Sequence, residues 1–187
     1  GATPSQIVVA ELEDKGLLTN SPVGHVVEIL GTIDEPGMET EIAVRKFDLP
    51  YKFSEETKKE IKRFSDSVTK SDLRDRVDLR DIPFVTIDGA DAKDFDDAVY
   101  CLPVEEGKFR LLVAIADVSH YVKPGCSIDK DAQLRTTSVY FPRRVIPMLP
   151  EELSNGLCSL NPQVDRCTMV CDAIIGANGL VEAYQFY

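Results

Sequence analysis

Four aspartates in one short stretch of the sequence could hold divalent cations. Asp88 follows a predicted strand, and Asp94, Asp96 and Asp97 come six, eight and nine residues later, directly before a second predicted strand. A loop between two such strands can fold back to the sheet edge that it left. We therefore expect the four carboxylates to converge at one edge of a sheet.

Converged carboxylates repel one another unless a cation lies among them. Hard oxygen ligands select Mg²⁺, Mn²⁺ or Ca²⁺, and two such ions about 3.5–4 Å apart are a known arrangement for in-line attack on a phosphodiester. Acidic runs in loops are, however, more often simply solvated. The residues alone leave both interpretations open: a catalytic metal site, or a structural acidic loop.

The spacing excludes an EF-hand. The loop of an EF-hand requires Gly at its sixth position and Glu at its twelfth. Counting from Asp88, those positions hold Lys93 and Val99, and no helices are predicted on either side.

Asp117 ends a predicted strand and is followed by Ser119 and His120, which invites comparison with a catalytic triad. No nucleophile motif accompanies these residues. We therefore expect Asp117 to cap the turn that follows it.

The composition is that of an acidic globular protein. The 187 residues carry a net charge of −11, with 43% hydrophobic and 28% charged residues, which excludes a disordered tail, a collagen-like fibre and a coiled-coil rod. No apolar run approaches the roughly 18–20 residues that a membrane span requires. Residues 78–97 contain seven aspartates against only Arg80 and Lys93. Because phosphate affinity comes from Lys and Arg, such a chain binds nucleic acid poorly without help from cations.

The five cysteines, at positions 101, 126, 158, 167 and 171, show no zinc-ligand spacing, and neither histidine is near the closest pair. We expect a reduced, cytoplasmic protein without disulfides.

The elements that position the acidic stretch divide the chain into three parts. Residues 1–50 contain β-branched runs at 7–12, 24–30 and 41–45, separated by turns, and indicate part of a small barrel that begins upstream. Residues 51–81 are predicted to be a helix capped by Ser54, with an apolar stripe reaching Val68, followed by a polar linker from residue 69.

Residues 82–187 are predicted to be mixed α/β. Strands are expected at 84–87, 98–102, 109–116, 168–175 and 180–186, and helices at 127–135 and 150–155. The strand at 109–116 is apolar enough to be central and covered on both faces. Asn178-Gly179 predicts a hairpin between the last two strands.

Several blocks of the sequence resemble the catalytic domain of the ribonuclease II/ribonuclease R family, and most closely its bacterial ribonuclease R members. They are VDLRDIPFVTIDG (77–89), DFDDAVYC (94–101), VAIADVS (113–119), TSVYFP (137–142), VIPMLP (145–150) and LSNGLCSLNPQVDR (153–166). Residues 1–50 are similar to the end of the family's second cold-shock domain, an OB-type barrel. The resemblance therefore implies a mixed α/β chain: a partial cold-shock barrel, then the N-terminal part of an RNB-type catalytic domain at 82–187.

The resemblance implies a processive 3′→5′ exoribonuclease that hydrolyses single-stranded RNA to nucleoside 5′-monophosphates with Mg²⁺, for which Mn²⁺ is the alternative ion. The family's four catalytic acids fall on Asp88, Asp94, Asp96 and Asp97. Asp88 and Asp97 would be direct metal ligands, Asp94 would help to hold the metals and position the scissile phosphate, and Asp96 would be the most sensitive residue for the chemical step.

Single-stranded RNA is the partner that the resemblance implies, and we expect a monomer with no membrane partner. A tyrosine that stacks on the 3′-terminal base falls on Tyr140, and stacking of this kind is independent of sequence. Arg143 and Arg144 follow in the same block and are candidate phosphate contacts, although paired basic residues in a loop are usually only solvated.

In the family, the catalytic domain continues beyond the position of Tyr187. We therefore expect this chain to be a fragment with little activity by itself. The alternative to an enzyme is a non-catalytic RNA-binding module with a structural acidic loop. A relative of that kind would be expected to have lost one of the four aspartates, and all four are present.

Overall fold

The computed structural model describes residues 1–13, 23–105 and 107–187 of the chain. Its strands are β1 (Gln6–Leu12), β2 (Gly24–Thr32), β3 (Asp97–Pro103), β4 (Phe109–Ala116), β5 (Val139–Phe141), β6 (Arg144–Ile146), β7 (Thr168–Ile175) and β8 (Val181–Phe186). Its helices are α1 (Met38–Lys46), α2 (Glu55–Ile61), α3 (Val118–Tyr121), α4 (Ser127–Arg135) and a π-helix at Glu152–Leu157.

The chain forms two compact units. The smaller unit comprises Gly1–Lys52 and Ser138–Ile146, and the larger unit comprises Phe53–Thr137 and Pro147–Tyr187. In the smaller unit, β1 and β2 form an antiparallel pair with two register shifts, and β5 and β6 form a short hairpin. The predicted linker falls in the larger unit, where residues 62–96 form turns and irregular structure.

The predicted strand at 41–45 is wrong, because these residues belong to helix α1. The helix begins after Gly37, whose φ of 91° lies in the left-handed region. Acidic residues occupy its first turn and basic residues its last, and charges in these positions interact favourably with the helix dipole. Glu41 and Arg45 also form an ion pair one turn apart. These local charges outweigh the weak strand preference of Ile42 and Val44.

The larger unit is built on an antiparallel sheet with the strand order β3-β4-β7-β8. β4 has the predicted bounds, and Gly179, with φ of 80°, lies in the turn of the β7–β8 hairpin, as predicted. The predicted strand at 84–87 is wrong: only Val85 pairs, as an isolated bridge to Val99. Pro83, which has no N–H to donate, lies just before this pair.

One face of the sheet carries the core. Leu112, Ala114 and Val170 are buried there, together with partly buried residues that include Phe84 and Tyr187. Alternate side chains of a strand point to opposite faces, and the opposite face leaves Ile115 and Phe109 of β4 exposed. The prediction that β4 is covered on both faces is therefore wrong for the described residues. An apolar run shows which side chains a strand carries, but it does not show whether a second layer packs against them.

A second apolar cluster joins the helices to the end of β4. Its buried members are Ile61, Ala116, Tyr121, Ile128, Leu153, Leu157 and Cys158. Burial raises the pKa of the Cys158 thiol to about 12, and all five cysteines are free thiols. Ser54 caps α2 as predicted, but this helix ends at Ile61, before the predicted stripe reaches Val68.

Partly buried polar contacts hold the turns that follow α2. The Asp72 carboxylate accepts hydrogen bonds from the Thr69 N–H and hydroxyl, both at 2.7 Å, and lies 2.9 Å from His120 Nε2. These contacts lower the pKa of Asp72 to about 2, and the contact with His120 has the largest effect. Within the part of the chain that the structure describes, no helix is long and apolar enough to cross a membrane.

The second cluster predicts unequal effects for two leucine substitutions. Leu153 is fully buried, whereas Leu134 on α4 is 72% exposed. Leu153→Ala should lower the free energy of unfolding by about 2–5 kcal/mol, because it leaves a cavity. Leu134→Ala is the control and should change it by no more than about 0.5 kcal/mol. Urea unfolding measures both; equal losses would show that Leu153 does not support the core.

Asp72→Asn should weaken the fold in a pH-dependent way. A carboxyl whose folded pKa lies below its unfolded value stabilises the protein above the unfolded value, about 3.9, and this contribution is lost as the pH falls toward 2. The free energy of unfolding of the wild type should therefore be about 1–2 kcal/mol higher than that of the variant at pH 7. This difference should disappear near pH 2. A gap that stays constant from pH 7 to pH 2 in urea unfolding would contradict this assignment.

Candidate active site

The acidic loop, residues 86–97, runs from the isolated bridge at Val85 to the first residue of β3. Main-chain hydrogen bonds of 3.0 and 2.8 Å join Val85 and Val99 and fix the start of the loop beside β3. At the other end, Asp97 is paired with Ile115, next to the last residue of β4. The loop therefore leaves and re-enters the same edge region of the sheet, as the spacing of the aspartates predicts.

The four predicted site residues occupy different surroundings within the loop. Asp88 is exposed, and its carboxylate accepts a hydrogen bond from the Gly89 N–H at 2.7 Å. Asp94 is half-buried, whereas Asp96 and Asp97 are exposed. The carbonyl of Asp96 accepts a hydrogen bond from the Ala116 N–H at 2.9 Å. The main chain at Asp96 is thus tied to the end of the central strand.

The electrostatics of Asp96 place the four carboxylates in one neighbourhood. Although Asp96 keeps part of its surface exposed, loss of water around it raises the pKa of its carboxyl. The negative charges of Asp94, Asp97 and Asp88 raise this pKa further, in that order. Each of the three therefore lies close enough to Asp96 to repel its charge.

The donor set suits a divalent cation in its chemistry. Carboxylate oxygens are the hard ligands that Mg²⁺ and Mn²⁺ prefer. In the described ranges, however, no three His, Cys, Asp or Glu side chains are grouped closely enough to hold a metal ion together. The residues thus fit the ion by type and by shared location, and their side chains do not form a closed coordination shell.

The predicted RNA-contacting residues lie in the smaller unit, on or beside the β5–β6 hairpin. Tyr140 on β5 is 67% exposed, and Arg143 in the turn is also exposed. Arg144 is half-buried, forms an ion pair with Glu41 and lies over the ring of Tyr51. Its guanidinium is therefore occupied by contacts within the unit, whereas no ion pair or ring contact with the described residues is found for Arg143.

Asp117 is a structural residue, as the sequence predicts. Its carboxylate caps α3 by accepting a hydrogen bond from the His120 N–H. It also accepts hydrogen bonds from the Ser119 hydroxyl and from Arg76, both at 2.7 Å. These contacts lower the pKa of Asp117 against the effect of its burial.

Sequence reasoning missed the residue that contacts the middle of the acidic loop. Ser159 is fully buried, and its hydroxyl hydrogen-bonds to the main chain of Lys93 and Phe95. It lies within the block 153–166, but no spacing or residue pattern there links a serine to a loop more than sixty residues earlier. Only the tertiary structure identifies this contact.

Comparison with known proteins gives two family matches along the chain. The cold shock domain family matches residues 1–54, and the RNB domain family matches residues 76–187. Their order confirms the predicted fold class, a cold-shock segment followed by an RNB segment.

Curated relatives and a solved structure match across almost the whole chain. Ribonuclease R of Acidithiobacillus ferrooxidans is 56% identical over 188 residues, and that of Vibrio parahaemolyticus is 51% identical over 187; both cover 100% of this chain. The chain spans 43% and 22% of these two relatives. The structure of Mycoplasma genitalium RNase R in complex with double-stranded RNA matches with a TM-score of 0.90 and 32% identity, over 98% of this chain and 32% of that one.

Proposed function

Because the chain belongs to the RNB-domain family, with relatives named ribonuclease R, we propose that it carries the catalytic loop of a 3′→5′ exoribonuclease. The proposed reaction is processive hydrolysis of single-stranded RNA to nucleoside 5′-monophosphates. The relatives are much longer than this chain, so the proposal concerns the whole enzyme. The observation that carries it is the raised pKa of Asp96, which is caused first by loss of water and then by the charges of Asp94, Asp97 and Asp88.

The loop is proposed to hold Mg²⁺, and Mn²⁺ suits the same ligands. Asp88 and Asp97 are the proposed direct ligands, and Asp94 is proposed to support them and to position the scissile phosphate. When bound, the ion would neutralise charge on the phosphodiester and orient it for in-line attack. The chain's own contribution is a set of carboxylates on a main chain that is fixed at both ends of the loop.

Asp96 is proposed as the residue on which the chemical step depends most. Its carboxyl has a pKa raised by its surroundings, and perturbed carboxyls cluster at functional sites. Its main-chain carbonyl accepts a hydrogen bond from the Ala116 N–H, so the sheet holds the backbone at this residue.

RNA binding is proposed to use the β5–β6 hairpin. The exposed ring of Tyr140 offers a surface for base stacking, and Arg143 is exposed beside it for a phosphate. Arg144 is the weaker candidate because it already pairs with Glu41. With a net charge of −11, this chain contributes little to phosphate binding overall.

A non-catalytic RNA-binding module is the second candidate. Its support is the absence, among the described side chains, of any three acidic or other ligand groups close enough to share a metal. The two functions differ in one respect that can be measured, because an acidic loop that is only structural does not bind Mn²⁺ at a stoichiometric site. Titration of the full-length protein with Mn²⁺, followed by electron paramagnetic resonance, separates them.

Asp96→Asn in the full-length protein should separate cleavage from binding. The change keeps the size of the side chain and removes one negative charge. Single-turnover cleavage of labelled oligo(A) should fall at least about 100-fold, since metal-assisted steps are worth several kcal/mol. RNA affinity should hold or rise slightly because one fewer carboxylate repels the phosphates.

Asp91→Asn is the matched control for that variant. Asp91 lies in the same loop and is not one of the four, so the same change there should leave cleavage near the wild-type rate. Equal losses of affinity and cleavage in Asp96→Asn would instead make Asp96 a structural brace, and its proposed role would be withdrawn.

Tyr140→Ala should weaken RNA binding without affecting metal binding. It removes a ring whose stacking on a base is worth about 1–3 kcal/mol, and it should change the length of the final product. Tyr140→Phe keeps the ring and should behave like the wild type in oligo(A) affinity and product length. If the Phe variant is as impaired as the Ala variant, the hydroxyl and not the stacking carries the role of Tyr140.

A further inference from the structure

The buried hydroxyl of Ser159 holds the acidic loop on both sides of Asp94. It donates a hydrogen bond to the Lys93 carbonyl at 2.8 Å and accepts one from the Phe95 N–H at 3.1 Å. The next residue adds a third link, because the Leu160 N–H donates to the Phe95 carbonyl at 2.9 Å. One short segment thus fixes the main chain before and after Asp94.

Ser159 is itself rigidly placed. Its N–H donates to the Gly156 carbonyl at 3.1 Å, at the end of the π-helix, and its carbonyl accepts from Arg166 Nε at 2.7 Å. The residues just before it, Leu157 and Cys158, are buried in the second apolar cluster. Ser159 therefore links the acidic loop to the packed core, and the core fixes where the loop is held.

No other group in these contacts can replace the hydroxyl. It acts as donor and acceptor at once, which a serine does and an alanine cannot. Removing it leaves the Lys93 carbonyl and the Phe95 N–H without this partner in a partly buried place, which is more costly than the loss of an exposed hydrogen bond. The loop would then have to shift to satisfy both groups.

We propose that Ser159 is a positioning residue for the acidic site: its hydroxyl sets the main chain around Asp94, and with it the placement of the Asp94 and Asp96 carboxylates for a divalent cation. This inference rests on the proposed function of the loop. Residues that orient metal ligands without touching the metal typically contribute 10–100-fold to metal affinity or activity. A role only in stability would leave the loop and its ion unchanged.

The test compares Ser159→Ala with Ser154→Ala in the full-length protein. Ser154 lies in the π-helix that precedes Ser159, and its hydroxyl contacts only the neighbouring Asn155 side chain among the hydrogen bonds described for it. In Ser159→Ala, amide hydrogen exchange should accelerate in the peptide that covers residues 88–97 and not elsewhere. Mn²⁺ affinity, measured by electron paramagnetic resonance, should fall about 10–100-fold. Ser154→Ala should match the wild type in both measurements.

Kinetics and a rescue variant complete the test. For oligo(A) cleavage, kcat should fall with Mn²⁺ affinity while the KM for RNA stays within about twofold, because the base stack and phosphate contact proposed for Tyr140 and Arg143 are left intact. Ser159→Thr retains a hydroxyl and should recover exchange protection and Mn²⁺ affinity in part. If Ser159→Ala does not fold, Ser159→Cys, a weaker hydrogen-bonding partner, takes its place with the same expected directions.

The proposal is overturned if Ser159→Ala lowers only the free energy of unfolding while loop exchange, Mn²⁺ affinity and kcat remain those of the wild type. That result is distinct from failure of the proposed function. If Asp96→Asn keeps full activity, the catalytic assignment fails, whereas the hydrogen-exchange comparison still decides whether Ser159 positions the loop.

Discussion

When no cation lies among them, four negative charges gathered in one loop stay together only if other interactions hold its main chain. Each carboxylate added near Asp96 raises its pKa and opposes the arrangement. Hydrogen bonds between uncharged groups hold the loop against this repulsion at three places. They are the bridge between Val85 and Val99, the Ser159 hydroxyl and the Ala116 N–H on the Asp96 carbonyl. None of these groups titrates near neutral pH, so these contacts do not themselves require a particular charge state of the aspartates.

Two of these three anchors share one apolar cluster. Ala116 is a buried member of the cluster, and Ser159 follows directly after two others, Leu157 and Cys158. The burial of α2, α3 and the π-helix against the end of β4 therefore serves the loop as well as the fold. A change in the packing of this cluster would therefore shift the acidic loop at both Ala116 and Ser159, because close-packed interiors transmit strain to the segments attached to them. Core packing and site geometry are thus one constraint here.

The sequence predicted well what depends on local pattern. The bounds of β4, the β7–β8 hairpin with its Asn-Gly turn and the cap of α2 were all evident from residue type and period. It failed where a local signal had a stronger competitor. Residues 41–45 look like a strand but form a helix, because Glu41 pairs with Arg45 one turn away and charge at both ends suits the helix dipole. At 84–87, a run of strand-forming residues makes only one bridge.

At the candidate site, too, local pattern predicts one part and misses another. The spacing of the four aspartates predicts that their carboxylates converge at one loop edge. The charges of three of them do raise the pKa of Asp96, but among the described residues no three ligand side chains are grouped closely enough to hold a metal ion, so convergence on a cation stays a prediction. Ser159 was beyond reach because its two partners are main-chain groups of Lys93 and Phe95. Any residue type can present a main-chain carbonyl or N–H, so such a contact leaves no mark in the sequence of the loop.

The raised pKa of Asp96 also has a thermodynamic consequence for the fold. A carboxyl whose pKa is higher in the folded than in the unfolded chain destabilises the folded state once the pH exceeds its unfolded value. At neutral pH the charge of Asp96 thus lowers stability, in contrast to Asp72 and Asp117, whose pKa values are lowered by their partners and which stabilise the same unit. A solvated loop with no role could lose this cost by a single change of Asp to Asn. The stability of the fold therefore does not account for the charge of Asp96, whereas the divalent cation proposed for this loop would need that charge and would offset its cost.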